Sequence, residues 1–157
     1  MDRPMRRKDR EVTDIAEIER IVRSGTVLYL GLCDEGSPYV VPLNYGYDRG
    51  TFYMHCAREG RKLDVLRAND RASAVVVPEH SLVRGTNACS FSMNYRSVMV
   101  SGRVREVADP DEKRRGMEAI MRTVAGEDAP VDFGPSGLDR VVILALEAER
   151  MTGKRHI

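Results

Sequence analysis

Short connections between β-rich segments constrain the fold of this chain more than any other feature. Turn residues at 34–37 and 48–50 separate three such segments, TVLYLGLC (26–33), YVVPLNYGY (39–47) and TFYMHCA (51–57). Connections this short join only antiparallel neighbours, because parallel strands need a crossover of a dozen residues or more. The three segments therefore predict an antiparallel meander. Pro42 cannot donate to a strand partner, so it predicts an edge strand or a bulge.

The remaining chain adds strands and helices to this meander. Alternation or β-rich composition predicts strands at 72–77, 95–107 and 141–148, with irregular chain at 79–94 and a loop at 127–137. Capping residues and apolar spacing predict helices over 14–24, 60–68 and from Asp109 to Gly126. We therefore predict a mainly β, α+β fold: one domain over 1–157 with an N-terminal arm at 1–12. Its six antiparallel strands would form a small barrel or a sandwich with peripheral helices.

Composition excludes several functional classes. Lys and Arg total 25 against 24 Asp and Glu, which argues against a nucleic-acid partner. The longest apolar run, Val141–Leu146, is too short for a membrane span, and the N-terminus lacks the apolar stretch of a secretory signal. Three widely spaced cysteines argue against a disulfide framework and favour a cytoplasmic location. His55 and Cys56 are adjacent on a strand and point to opposite faces, so no metal site is predicted.

The segment from His55 to Lys62 carries the strongest chemical signal. A strand ends there, a glycine follows, and Arg61 and Lys62 occupy the first turn of a helix. Cations are unfavourable at a helix N-terminus, where the backbone already presents free N–H groups and partial positive charge. A bound phosphate would explain them, because the N–H groups and both side chains then converge on one anion. The alternative is that both side chains simply extend into water.

Other candidates in the central strands have two interpretations. His55 is either hydrogen-bonded scaffolding or a proton donor, since imidazole titrates near neutral pH. Cys56 has no activating neighbour in the sequence, which favours a small buried residue over a nucleophile. Tyr45 is either a core residue or a cover for part of a ligand ring, and its spacing does not decide between these.

Five segments follow one another in the order MRRKDREVTD, TVLYLGLCDEGSPYVVPLNYGY, FYMHCAREGRKLDVLRAND, YRSVMVSGRV and MTGKRHI. This order closely resembles the flavin-binding split-barrel superfamily of pyridoxamine 5′-phosphate oxidase, and most of all its nitroimidazole-resistance branch. The resemblance implies a homodimer with one flavin mononucleotide (FMN) in each cleft between subunits. It also implies the cofactor-binding positions Pro42, Leu43, Asn44, Tyr45, Met54, His55, Cys56, Arg61, Lys62, Tyr95, Ser97 and Lys154.

Within this set the resemblance implies different roles. Arg61 and Lys62 match the phosphate-binding pair, and Tyr95 and Ser97 match the ring contacts of a facing strand. His55 matches the suspected catalytic or adduct-forming histidine, and Lys154 lies in a C-terminal signature that reaches the partner's site. The oxidase itself ends in a Trp- and Arg-containing segment that helps hold pyridoxal phosphate. This chain has no Trp, which argues against vitamin B6 oxidation.

The sequence thus predicts an FMN-dependent oxidoreductase for a small organic substrate, with nitro-aromatic compounds as one class. Two alternatives stay open. The protein could be a flavin, deazaflavin or haem carrier or redox sensor without turnover. It could also be an interaction domain that uses the basic segment Arg3–Arg10, although mixed charge beside a helix start is usually a solvated arm.

Overall fold

In the computed structural model, residues 4–134 and 136–157 are described, and they form one open antiparallel sheet flanked by helices. The strands are β1 (Glu11–Val12), β2 (Val27–Asp34), β3 (Ser37–Asn44), β4 (Gly46–Asp48), β5 (Thr51–Cys56), β6 (Arg71–Val83), β7 (Ser92–Glu106) and β8 (Val142–His156). The α-helices are α1 (Ile15–Arg23), α2 (Arg61–Ala68) and α3 (Pro110–Ala125). Residues 1–3 of the predicted arm and Pro135 of the predicted loop lie outside the described residues.

The predicted segment 39–47 is two strands, not one, and this corrects the six-strand prediction. The sheet order is β3-β2-β6-β7-β8-β5-β4, so β3 and β4 lie at opposite edges and the three-strand meander is wrong. The chain breaks at Tyr45, whose fully buried hydroxyl donates to the carbonyl oxygen of Val22. With β1, which pairs with β8, the described sheet has eight strands. Pro42 lies in the edge strand β3, as predicted.

Two predicted boundaries are also wrong, because strands continue into polar sequence. Residues 79–94 were expected to be irregular, yet β6 extends to Val83 and pairs with β7 past a bulge between Val76 and Glu79. Strand β8 extends from the predicted end at residue 148 to His156, paired with β7 throughout. An antiparallel sheet can keep polar side chains solvated on one face, so these segments pair without alternating apolar residues. The sequence therefore lacks the pattern that would predict a strand there.

The three predicted helices are present and pack on the sheet as their apolar spacing indicates. Asp14 caps α1 by accepting a hydrogen bond from the backbone N–H of Ala16 at 3.0 Å. Ile18, Ile21 and Val22 of that helix are buried in the main core. That core also takes in alternate residues of the central strands.

Helix α3 covers only one end of the outer sheet face. It buries Tyr53, Ile143 and Ala145 in a second, smaller cluster. The uncovered part is an apolar surface that we call the open face. It follows one register row, Pro42–Tyr29–Val75–Met99–Thr152, across five strands. Met99 is 62% exposed, Val40 59% and Tyr29 48%, so a broad apolar area of the sheet faces solvent.

No helix in the described part of the chain is both long and apolar enough to span a membrane. All three cysteines, Cys33, Cys56 and Cys89, are free thiols.

Candidate functional site

Several of the predicted polar or charged site residues fall into two separate clusters, each of which also includes one residue outside the predicted set. Asn44, Tyr45 and His55 belong to neither cluster. The helix-start cluster, which consists of Cys56, Gly60, Arg61 and Lys62, lies where β5 ends and α2 begins. The arm cluster, which consists of Arg10, Tyr95, Ser97 and Lys154, lies beside the N-terminal arm. Cys56 pairs with Val142 of β8, whereas Lys154 is twelve residues farther along that strand (142 to 154). At about 3.3 Å per residue, the two clusters are about 40 Å apart along the strand.

The first turn of α2 is open at the helix-start cluster. Gly60 has φ +126°, a conformation that other residues rarely adopt, and a Cβ there would meet no atom within 4 Å. No side chain caps the helix. The N–H groups of Leu63 and Asp64 donate back to the Gly60 carbonyl at 2.9 and 3.3 Å, so those of Arg61 and Lys62 are the ones left for a ligand.

Arg61 and Lys62 differ in their surroundings. The Arg61 guanidinium donates to Asp34 at 2.8 Å and stacks over the Tyr39 ring, with Cζ 4.5 Å from the centroid. Lys62 is half-buried and makes no ion pair with any carboxylate in the described part of the chain. Arg61 is therefore held against the β2–β3 hairpin, while Lys62 keeps its charge uncompensated. Lys62 is the stronger candidate for binding an anion.

His55 and Cys56 lie on opposite faces of β5, as the sequence predicts. His55 is exposed on the outer side, and Cys56 is half-buried on the inner side. Burial raises the pKa of the Cys56 thiol, the nearby Lys62 ammonium lowers it by less, and the net shift is upward. A raised pKa keeps the thiol protonated at neutral pH, so the structure favours the interpretation of Cys56 as a packing residue rather than a nucleophile.

The predicted ring-contact residues of β3 to β5 differ in what they can offer a ligand. Pro42 and Asn44 are exposed, and the Asn44 amide donates to the Thr26 carbonyl at 3.0 Å. Leu43 packs against the main core. Tyr45 and Met54 are fully buried, which leaves only their backbone for a ligand. Of the two interpretations of Tyr45, the structure supports a core residue.

The arm cluster joins three predicted residues to one that the sequence did not single out. Ser97 pairs with Lys154, and the Lys154 ammonium lies 5.8 Å from the centroid of the Tyr95 ring. Arg10 lies at the end of a short 3₁₀ turn, Lys8–Arg10, and its side chain reaches the same tyrosine. Burial raises the pKa of Tyr95, but donors and positive charge from Arg10 and Lys154 outweigh this and lower it below 10. The only sequence signal for Arg10 was its place in the basic segment.

Neither cluster has the composition of a metal site. Within residues 4–134 and 136–157, no three His, Cys, Asp or Glu side chains come close enough to hold a metal ion. The charged groups that the two clusters offer are the cations Arg61, Lys62, Arg10 and Lys154, and such groups bind anions.

Comparisons with known proteins agree with this architecture. A crystal structure described as a 5-nitroimidazole antibiotic resistance protein from Bacteroides thetaiotaomicron is 32% identical, with a TM-score of 0.80, over 92% of this chain and 86% of that one. An FAD- and haem-binding protein from Mycobacterium smegmatis is 19% identical, with a TM-score of 0.80, over 93% and 73% of the two chains. An FAD-binding protein from Mesorhizobium loti is 23% identical, with a TM-score of 0.68, over 94% and 98%.

The latter two identities are low, so these likenesses concern the fold alone. The comparison with curated proteins gave no significant match. The family model of pyridoxamine 5′-phosphate oxidase matches residues 14–155, nearly the whole chain. The chain therefore belongs to the pyridoxamine 5′-phosphate oxidase family.

Proposed function

We propose that this protein is an FMN-dependent oxidoreductase that acts on a small organic substrate, with nitro-aromatic compounds as the first class to test. One observation carries the cofactor assignment: Lys62, which is half-buried and forms no ion pair with any described carboxylate, lies beside an uncapped helix start that opens through Gly60. A phosphate there would satisfy free backbone N–H groups and, together with them, an ammonium that forms no ion pair in the described part of the chain. FMN has such a terminal phosphate, and the relative from Bacteroides thetaiotaomicron supports the nitro-aromatic class.

We further propose a homodimer in which the flavin lies between subunits. The two clusters are too far apart along β8 for one small ligand to contact both in a single chain. A second copy packed on the open face would cover Tyr29, Val40 and Met99, which are large apolar side chains that solvent now reaches. It would also bring its own helix-start cluster toward the arm cluster of the first chain. The free cysteines support the cytoplasmic location proposed for this dimer.

The residues present fit an FMN bound in this way. When bound, the flavin would supply the electron or hydride transfer. Lys62 and the first N–H groups of α2 would hold the phosphate, and Arg61, fixed by Asp34, would shape its rim. His55 is exposed and would hold a proton for the substrate. Cys56, with its raised pKa, would remain a neutral thiol.

A second candidate is a binding module without turnover. It is favoured by the isolation of His55, whose exposed ring forms no hydrogen bond with an acid or base in the described part of the chain. The fold is also shared with a protein described as binding FAD and haem. In this case bound flavin would not be reduced by NADH or NADPH and then reoxidised by an acceptor.

An absorption spectrum of the purified protein, before and after incubation with FMN, tests the proposal. We expect a flavin spectrum that survives gel filtration, and mass spectrometry of the released ligand should identify FMN rather than FAD, a deazaflavin or haem. Steady-state oxidation of NADH or NADPH with a nitro-aromatic acceptor then distinguishes the enzyme from the binding module. A colourless protein that takes up no flavin would exclude both.

A further inference from the structure

We propose that Arg10 and Lys154, together with Tyr95, form a subsite for the anionic group of the substrate, so that the substrate class is a small organic acid. This inference adds a substrate class to the proposed function, and it rests on that function in calling the bound anion a substrate. The subsite itself is argued from the arm cluster alone.

The burial of Arg10 is the first observation. Its side chain is half-buried, and its Nε atom has no hydrogen-bond partner although it is shielded from solvent. Leaving a buried charged donor unsatisfied costs more than leaving a neutral one unsatisfied. In native structures such a donor is satisfied by a bound partner, either an ordered water or an anion. A guanidinium pairs best with a planar oxyanion such as a carboxylate.

The charge around Arg10 is the second observation. Neighbouring arginines are compensated: Arg7 pairs with Asp9 at 2.5 Å, and Arg155 pairs with Glu17 at 2.5 Å. By contrast, no carboxylate of residues 4–134 and 136–157 forms an ion pair with Arg10 or Lys154.

Glu11 is the acidic residue placed opposite Lys154, across the β1–β8 pairing. It makes no ion pair with either cation. Two cations that form no ion pair with a described carboxylate therefore converge on one tyrosine, Tyr95, whose pKa they lower. The charge of Arg10 also acts on the Asp9 carboxylate, which forms its ion pair with Arg7. A lowered pKa makes the Tyr95 hydroxyl a better hydrogen-bond donor to an anion.

Space for a ligand is the third observation. A cleft of about 500 Å³ opens beside Arg10, between the arm and the end of β8. A second cleft of about 320 Å³ contains Tyr95, and His156 lines both. Asp9 lines the first cleft together with Arg10, and Lys154 adjoins the second through its contact with the Tyr95 ring. These volumes suit a small organic molecule rather than a polymer. The Nδ1–H of His156 donates to the Met93 carbonyl at 2.8 Å, which fixes the wall between the two clefts.

The binding of benzoate, compared with that of the neutral analogue benzamide, tests this subsite. Both would be titrated calorimetrically into the purified protein, loaded with FMN if it takes the flavin up, at one fixed ionic strength. We expect benzoate to bind at least tenfold more tightly than benzamide. Arg10→Gln and Lys154→Gln should each weaken benzoate binding by about tenfold or more. Arg6→Gln, an exposed arginine of the same arm, is the matched control and should leave it unchanged.

The affinities for FMN and riboflavin distinguish a substrate anion from the flavin's own phosphate. Arg10→Gln should leave both flavin affinities unchanged. If it weakens the binding of FMN but not of riboflavin, the cluster holds the flavin phosphate and our inference is wrong. Equal binding of benzoate and benzamide, or benzoate affinity that survives both substitutions, would also overturn it.

The proposed function can fail independently of the subsite. A protein that binds no flavin but shows the predicted benzoate pattern would retain the anion subsite and lose the oxidoreductase assignment. If Arg10→Gln does not give the circular dichroism spectrum of the folded protein, Lys154→Gln alone decides the test.

Discussion

Lys62 is the residue on which the phosphate assignment depends most. It combines partial burial, the absence of an ion pair in the described part of the chain and a place in the first turn of an uncapped helix. Arg61 has the same position in the sequence pattern, but Asp34 and Tyr39 already engage it. These two neighbouring cations thus have different surroundings, and we expect different roles for them.

Replacing Lys62 with Ala should weaken FMN binding by about tenfold to a hundredfold. The reason is that a hydrogen bond to a charged group contributes about 1.5–3 kcal/mol, and 1.4 kcal/mol is a factor of ten in affinity. Riboflavin, which lacks the phosphate, should bind the variant and the parent equally. Fluorescence titration with both flavins measures this.

Arg114→Ala is the matched control for that substitution, since Arg114 is an exposed cation on α3 far from the helix start in sequence. It should leave the affinity for FMN unchanged. An unchanged FMN affinity in the Lys62 variant would show that the phosphate binds elsewhere.

Some features of the candidate site could be predicted from the sequence, whereas others depend on contacts between distant residues. The helix start at Gly60 and the opposite orientation of His55 and Cys56 followed from local pattern, because each depends only on chain geometry. The pairing of Arg61 with Asp34 depends on a hairpin packed beside α2. Likewise Arg10 meets Tyr95 only after the arm pairs with the end of β8. Such contacts join distant residues, so no spacing in the sequence indicates them.

At the scale of elements, the docking of α3 on β4 requires a glycine at position 46. A Cβ at this position would overlap the backbone of Ala119 and Ile120, which cannot move without displacing the helix. This close approach also explains why the predicted strand 39–47 divides: β3 stays at one sheet edge, while Gly46 begins a strand that must fit under α3.

Gly46→Ala should therefore destabilise the protein by about 3 kcal/mol or more, as backbone overlap in a packed site does. Gly36→Ala provides the comparison, because its Cβ would meet no atom within 4 Å and only the φ of +86° opposes it. That variant should lose about 1 kcal/mol. Urea unfolding of both variants measures the difference, and equal losses would contradict the close packing of α3 on β4.

The same helix is also held by a charged network that should respond to acid. The Glu112 carboxylate accepts hydrogen bonds from Arg105 at 2.7 and 3.0 Å and from the Tyr53 hydroxyl at 3.2 Å. The hydrogen bonds from Arg105 lower the pKa of Glu112 below its usual 4.5, and the smaller effect of burial opposes this. Because the folded-state pKa is the lower one, the stabilisation is complete above pH 4.5 and is lost as the pH falls through the folded-state value.

Glu112→Gln removes this pH dependence, so a comparison with the parent protein measures how much the Arg105–Glu112 contact stabilises the fold. The difference in free energy of unfolding between parent and variant should be constant near neutral pH and shrink as the pH falls below 4.5. Urea unfolding at a series of pH values measures it. A difference that stays constant down to pH 3 would show that the Arg105–Glu112 contact does not stabilise the native state.

At the scale of the whole molecule, the proposed dimer would explain both the open face and the separation of the two clusters. A second copy would cover the sheet face that exposes Met99, Val40 and Tyr29, and it would join complementary parts of two sites. The antiparallel α+β architecture followed from turn lengths and alternation. The placement of β3 and β4 at opposite edges did not, because strand order depends on contacts between residues far apart in sequence.

Sedimentation velocity of the FMN-incubated protein, followed at the visible absorption band of the flavin, tests the central claim most directly. We predict that the flavin sediments with a species of twice the mass of the chain, at one flavin per chain. Lys62→Ala should reduce the bound flavin while the dimer persists. Flavin that sediments with a single chain, or a dimer that carries none, would contradict a flavin site built between two copies.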